Sequence, residues 1–261
     1  MSPKLMGVVN VTPDSFSDGG RYLDAGAAIA HGVELVRDGA EILDIGGEST
    51  RPGAEPVEWE VEMDRVEPVV AGLAGKATIS VDTSKAAVAI AAIEAGASIV
   101  NDVTALRGDL EMAPVCGEHG VDVVLMHMPG SPRTMQDDPR YEDVVGEVKA
   151  FLSQRLEFAV MMGIAEERIW LDPGIGFGKT LEHNLELLRR LGELRELGRP
   201  LVIGTSRKSF IGRIDGSEVG DRLGGTIASS VLAAAEGADV LRVHDVAETA
   251  QAIRVAEAIL G

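Results

Sequence analysis

"ATISVDTSKAAVAIAAIEAGASIVND", from Ala77 to Asp102, carries one complete strand–helix–strand unit. The run "ATISVD" is short and β-branched, and it ends on a carboxylate, Asp82. "SKAAVAIAAIEAGA" then places apolar residues at three- and four-residue steps, and its closing Gly-Ala is a helix C-cap signal. "SIVND" is a second β-branched run ending on polar groups. The same unit recurs outward in both directions. Strands are read at "LMGVVN", "EILDIGG", "ATISVD", "SIVND", "VDVVLMH", "RIWLDPG", "PLVIGTS" and "DVLRVHD", with helical periodicity between them. Eight strands alternating with helices, without a linker or a low-complexity segment, predict an α/β fold: a single-domain (β/α)8 TIM barrel over residues 1–261. A doubly wound open sheet is the alternative. The early glycines form no G-x-G-x-x-G turn between strand and helix, which counts against it.

The 261 residues are 45% hydrophobic but only 3% aromatic, so the core must come from Val, Ile, Leu and Ala, as a helix-covered parallel sheet requires. A net charge of -18 argues against binding nucleic acid or an anionic membrane surface. One cysteine, Cys116, excludes an intrachain disulfide and reads as a packing residue in "DLEMAPVCGEHG". "MSPKLMGVVN" lacks the apolar core of a signal peptide, and no apolar run approaches the ~18 residues of a membrane span. A cytoplasmic location is expected.

The informative feature is what ends each strand. In order these are Asn10; Asp44 with "GGESTRPG"; Asp82; Asn101-Asp102; His127; Asp172; Ser206-Arg207-Lys208; and Arg242 with His244 and Asp245. In a (β/α)8 barrel the C-terminal ends of the strands open on one face, so these groups converge on a ligand site there. Asp82, Asn101 and Asp172 can accept from and donate to a heterocycle that presents an amide N–H beside an exocyclic amine, as guanine-like and pterin-like rings do. Arg51, Arg207, Lys208, Arg242 and His244 form a cationic set suited to phosphate oxygens.

In these strand-end motifs and the loops that follow them, the chain resembles the dihydropteroate synthase family, the pterin-binding barrels of folate biosynthesis. The likeness runs through "NVTPDSFSDGG", "GAEILDIGGESTRPGAEPV", "ISVDTSK", "VNDVTA", "LMHMPGSPRTMQ", "LDPGIGFGK", "GTSRKSFIG" and "RVHDVAE", in order and over essentially the whole chain. It implies condensation of 6-hydroxymethyl-7,8-dihydropterin diphosphate with p-aminobenzoate to give 7,8-dihydropteroate and pyrophosphate, with Mg²⁺ assisting. Carried over by position, Asp82, Asn101, Asp172 and Lys208 are implied as pterin contacts, with Met126 along the pterin face. Asn10, Arg242 and His244 are implied at the diphosphate end, with Asn10 also facing Mg²⁺. Thr50, Arg51, Pro52, Phe177, Lys208 and Ser209 are implied on the p-aminobenzoate side. His127 is given no catalytic role. The family also implies a homodimer, for which "IASSVLAAAEGADV" and "AIRVAEAIL" are candidate helices, and competition by sulfonamides.

The expected chemistry is a dissociative substitution. The dihydropterin methylene becomes cationic as diphosphate leaves, and fixed donors absorb the departing charge. The loops Val11–Asp24 and Glu48–Pro56 are expected to close over that cation. Of their acids Asp14 and Asp18, Asp18 is the expected contributor to catalysis. Two rivals remain: a methyltetrahydrofolate–corrinoid methyltransferase, which needs no diphosphate clamp, and a catalytically silent pterin-binding paralogue.

Overall fold

The computed structural model describes residues 2–12, 21–49, 54–131 and 133–260, with the side chains of residues 21–24 left aside. Within them eight parallel strands alternate with helices: β1 (Lys4–Asn10), α1 (Arg21–Asp38), β2 (Ile42–Gly46), α2 (Trp59–Leu73), β3 (Thr78–Asp82), α3 (Ala86–Ala95) and β4 (Ile99–Asp102). There follow α4 (Met112–His119), β5 (Asp122–Met126), α5 (Val144–Met161), β6 (Ile169–Asp172), α6 (Leu181–Arg189) and β7 (Val202–Ile203). The chain continues through α7 (Ser209–Asp215), α8 (Leu223–Ala235), β8 (Val240–Val243) and α9 (Val246–Leu260). The strands pair in the order β6-β5-β4-β3-β2-β1-β8-β7, and a parallel bridge from Leu171 to Leu201 closes the ring between β6 and β7. The expected (β/α)8 barrel is the observed fold.

Strand periodicity sorts every side chain to one of two cores. Leu43, Ile45, Val81, Val100, Val123 and Leu241 point outward, into the large cluster between sheet and helices. Each fully buried aliphatic there contributes roughly 1.5–3 kcal/mol. Met6, Ile42, Ile99, Val124, Val202 and Val240 point inward and pack with Trp170 as the barrel's own core, early in each strand. One step further along the same inward rows the residues turn polar: Asp44, Ser80, Asn101 and Arg242. The apolar plug therefore forms the floor on which the polar layer stands. Cys116 is buried and packed in the outer cluster, and burial pushes its thiol up to about 12. No helix among the described residues is long and apolar enough to cross a membrane.

Candidate active site

Arg242 lies at the centre of the polar layer. Its Nε donates to Asp44 Oδ2 at 2.6 Å and its Nη2 to Asp82 Oδ2 at 2.8 Å. Asp44 is fully buried and also accepts from Ser80 Oγ at 2.6 Å and Asn101 Nδ2 at 3.1 Å. Strands β2, β3, β4 and β8 are thus tied together at one level. Asp82 Oδ1, by contrast, is buried with no hydrogen-bond partner among the described residues. A buried carboxylate oxygen left unpaired is costly unless a ligand supplies the donor. Burial raises the Asp82 pKa to about 7 against the pull of Arg242.

Asp82, Asn101, Met126, Asp172, Lys208 and Arg242 line one pocket, with Phe177 and the Gly174–Ile175 backbone on the β6 side. The expected pterin contacts are therefore brought together. Asp172 Oδ1 accepts the Gly174 N–H at 2.6 Å, and burial lifts its pKa while Lys208, Arg242 and Lys179 oppose the rise. Lys208 precedes α7, and its Nζ stands 3.9 Å from the Phe177 ring centroid. Burial and the neighbouring Arg242 lower it to about 8. Met126 packs with Val103, Met128 and Met135 while lining the pocket. Phe177 is half-buried against the same methionines.

His244 extends the inward row of β8. Its Nδ1 is 2.9 Å from Ser206 Oγ, and that oxygen also accepts the His244 backbone N–H at 3.2 Å. The hydroxyl proton is then left for Nδ1, which assigns the ring proton to Nε2. Burial and the Arg242 charge hold this imidazole down to about 3, so it acts as a neutral donor. Asn10 ends β1 in line with Gly46 and Asp82, half-buried. Ser209 is exposed at the start of α7, beside Lys208 and outside the pocket lining.

Two expectations change. Arg207 does not join the cationic set: its guanidinium is paired with Asp245 at 2.5 and 3.1 Å, and a φ of 57° turns it away from Lys208. Asp102 points outward, holding its own loop through Thr104 N, Thr104 Oγ1 and Leu106 N at 2.7–2.8 Å, so Asn101 alone faces the mouth from β4. Asp14, Asp18, Thr50, Arg51 and Pro52 lie outside the described residues, as do the central parts of both expected closing loops.

A model of the pterin-binding enzymes matches residues 6–244. The Escherichia coli K12 dihydropteroate synthase is 48% identical over 262 residues, covering 99% of this chain and 92% of that protein. The chain belongs to the dihydropteroate synthase family. A Xanthomonas albilineans dihydropteroate synthase solved with 4-aminobenzoic acid superposes with a TM-score of 0.94 at 49% identity, covering 100% of this chain and 94% of that one. The same enzyme in complex with 7,8-dihydropteroate gives a TM-score of 0.91 at 46% identity, with 100% and 94% covered.

Dihydropteroate synthase chemistry raises the question of a metal. Among the described residues no three His, Cys, Asp or Glu side chains gather to hold one. At the end of β1, Asn10 offers an amide oxygen, hard and neutral. That suits Mg²⁺, which keeps several waters and usually rides on substrate phosphates with one or two protein oxygens.

The structure puts two further residues behind this dihydropteroate synthase site: Asp44, expected among the strand ends at the mouth but standing two residues below it, and Lys179, to which sequence reasoning gives no role. Asp44 was visible as a polar residue inside "EILDIGG", where strand alternation points it inward. Lys179 closes "GIGFGK" and is 1% exposed. A lysine after a glycine-rich loop reads as solvated, and nothing in the local pattern signals its burial.

Proposed function

We propose that this chain is a dihydropteroate synthase, joining 6-hydroxymethyl-7,8-dihydropterin diphosphate to p-aminobenzoate with release of pyrophosphate. The observation that carries this reading is the convergence of Asp82, Asn101 and Asp172 on one pocket, with Lys208 and Arg242 beside them. Asp82 Oδ1, without a partner among the described residues, supports a carboxylate waiting for ring N–H donors, and Asn101 supports a mixed donor–acceptor edge.

In the reaction the C–O bond to diphosphate breaks and its electron pair leaves with the oxygen. The methylene cation is delocalised into the dihydropterin ring, and the buried carboxylates Asp82 and Asp172 stabilise it by charge. Arg242 and neutral His244 donate to the departing oxygens. Asn10 would help to hold Mg²⁺, which would supply further neutralisation of the leaving group when bound. The amine lone pair of p-aminobenzoate then forms the C–N bond and the surplus proton passes to solvent, so no strong base is needed. Lys208 and Phe177 form the side of the pocket assigned to p-aminobenzoate; the family resemblance assigns Ser209, Thr50, Arg51 and Pro52 to the same substrate. Asp18 is assigned to the loop that covers the cation.

Incubating the protein with Mg²⁺, the pterin diphosphate and p-aminobenzoate tests the reading through pyrophosphate and dihydropteroate formation. Methyl transfer from methyltetrahydrofolate, or pterin binding without pyrophosphate, would replace it with one of the two rivals. Sulfonamides should compete with p-aminobenzoate in the same assay. We further propose that the protein works in the cytoplasm as one folding unit and as a homodimer, with exposed Leu232 on α8 and Val255 on α9 as interface candidates. Sedimentation of the wild type against Leu232→Lys tests the dimer.

A further inference from the structure

The β6–α6 loop, residues 173–178, is held from behind by side chains with no place in the chemistry above. Lys179 is fully buried, and its Nζ reaches Gly174 O at 2.9 Å, Phe177 O at 2.9 Å and His127 Nδ1 at 3.0 Å. Those two carbonyls belong to the residues that define the pocket's β6 wall. The Gly174 N–H is the donor that orients Asp172, and Phe177 is the ring under Lys208. Gln136 Nε2 and Tyr141 Oη donate to Gly176 O and Gly178 O at 2.8 and 3.0 Å, so the segment after β5 grips the loop from the same side.

His127 meets this lysine through Nδ1 from a fixed seat. Its ring packs edge-on to Phe151 with centroids 4.8 Å apart, and its backbone N–H donates to Asp172 O at 2.9 Å. Burial and the charges of Lys179 and Arg107 hold the imidazole down to about 2, which keeps it neutral.

We propose that Lys179, seated on His127, is a positioning residue for both substrates: it sets the β6–α6 loop so that Asp172 and Phe177 face the pocket together. Only the identity of the ligands rests on the function proposed above.

The role is one of hydrogen bonds rather than charge. The groups facing Lys179 are His127 after β5, Asp172 at the end of β6 and Lys208 before α7. Burial brings the amine down to about 7. As an ammonium it donates to all three acceptors. As an amine it donates to the two carbonyls and accepts from His127 once that ring carries its proton on Nδ1. The grip survives titration either way.

Michaelis constants and kcat measured for Lys179→Met, with pyrophosphate release as the readout, test the proposal. The expected result is about a ten-fold or greater rise in the Michaelis constant for both substrates, similar at pH 6 and pH 9, with a smaller loss of kcat. Constants within about two-fold of wild type in the folded variant, or a defect that vanishes above pH 8, would overturn it. Should that variant not fold, His127→Asn and His127→Leu decide the matter. The amide of the first still accepts from Nζ and should restore near wild-type constants, whereas the leucine cannot; equal constants for the two overturn the proposal. Failure of the wild type to release pyrophosphate at all would count against the assigned reaction instead.

Discussion

Arg242 Nη2 and Asp82 Oδ2 are 2.8 Å apart, while the other oxygen of the same carboxylate is buried with no partner among the described residues. Arg242 thus fixes one face of Asp82 and leaves the other for a ligand. Asp82→Asn keeps the size of the side chain but presents a donor or a weaker acceptor where a ring N–H arrives. Losing a charge-assisted hydrogen bond costs about 1.5–3 kcal/mol, so pterin affinity should fall roughly ten- to hundred-fold with the fold intact. Isothermal titration with the pterin against a thermal melt separates the two effects.

The same carboxylate gives a pH signature. Its folded pKa, about 7, lies above the ordinary aspartate value of 3.8. Between those values the native state keeps a proton that the unfolded chain has released, so this group's contribution to stability is largest at low pH and falls as pH rises through the window. Asp82→Asn removes that fall, and the variant should gain on wild type in unfolding free energy between pH 4 and pH 7. A ring N–H selects the carboxylate form, so pterin binding near pH 7 should release part of a proton. Calorimetry in two buffers of different ionisation enthalpy checks this, and identical heats would contradict it.

Arg242 was expected to serve the diphosphate alone, which would make its loss a defect in turnover. Its bonds to Asp44 and Asp82 change that expectation, because Arg242→Ala leaves two buried carboxylates without their shared cation. Removing one partner of such a set costs about 3–5 kcal/mol. Both kcat and pterin affinity should fall, and the melting temperature should drop. Arg242→Lys keeps the charge but has no fork to span two carboxylates, so it should restore stability in part and pterin affinity less.

The fold was legible because short β-branched runs recur eight times with helical periodicity between them, and barrel topology then carries every strand end to one face. Asp82, Asn101 and Asp172 were found because each occupies an inward position at or near the mouth. Asp44 stands two residues deeper, where only side-chain contacts reveal that it is the hub of Arg242, Ser80 and Asn101. Adjacent residues defeated the reading twice: Asp102 and Arg207 share strand ends with Asn101 and Lys208 yet point elsewhere, since neighbouring side chains diverge. Lys179 was invisible because its burial depends on a loop that folds back over it.

Asp44→Asn isolates the hub from the pocket wall. The amide still accepts from Ser80 or Asn101, but the Arg242 charge loses its fully buried counterion. The cost should again be about 3–5 kcal/mol. At this chain length that corresponds to roughly 5–15 °C in melting temperature, read by calorimetry.

Two glycines with similar backbone angles separate conformational strain from close approach. Gly216 has φ +81° and ends α7, and a Cβ added there meets nothing within 4 Å. Gly216→Ala should therefore cost only the left-handed penalty of roughly 1–2 kcal/mol and leave activity intact. Gly174 has φ +68°, and its added Cβ would fall 2.0 Å from the His127 backbone oxygen. Neither strand can give way there, because the His127 N–H is bonded to Asp172 O at 2.9 Å on the same seam. Gly174→Ala must push β5 and β6 apart at the mouth, displacing Asp172 and breaking the Lys179 contact. Pterin binding should be lost at temperatures where Gly216→Ala still turns over. A Gly174→Ala protein that bound pterin normally would show that the β6 wall tolerates displacement.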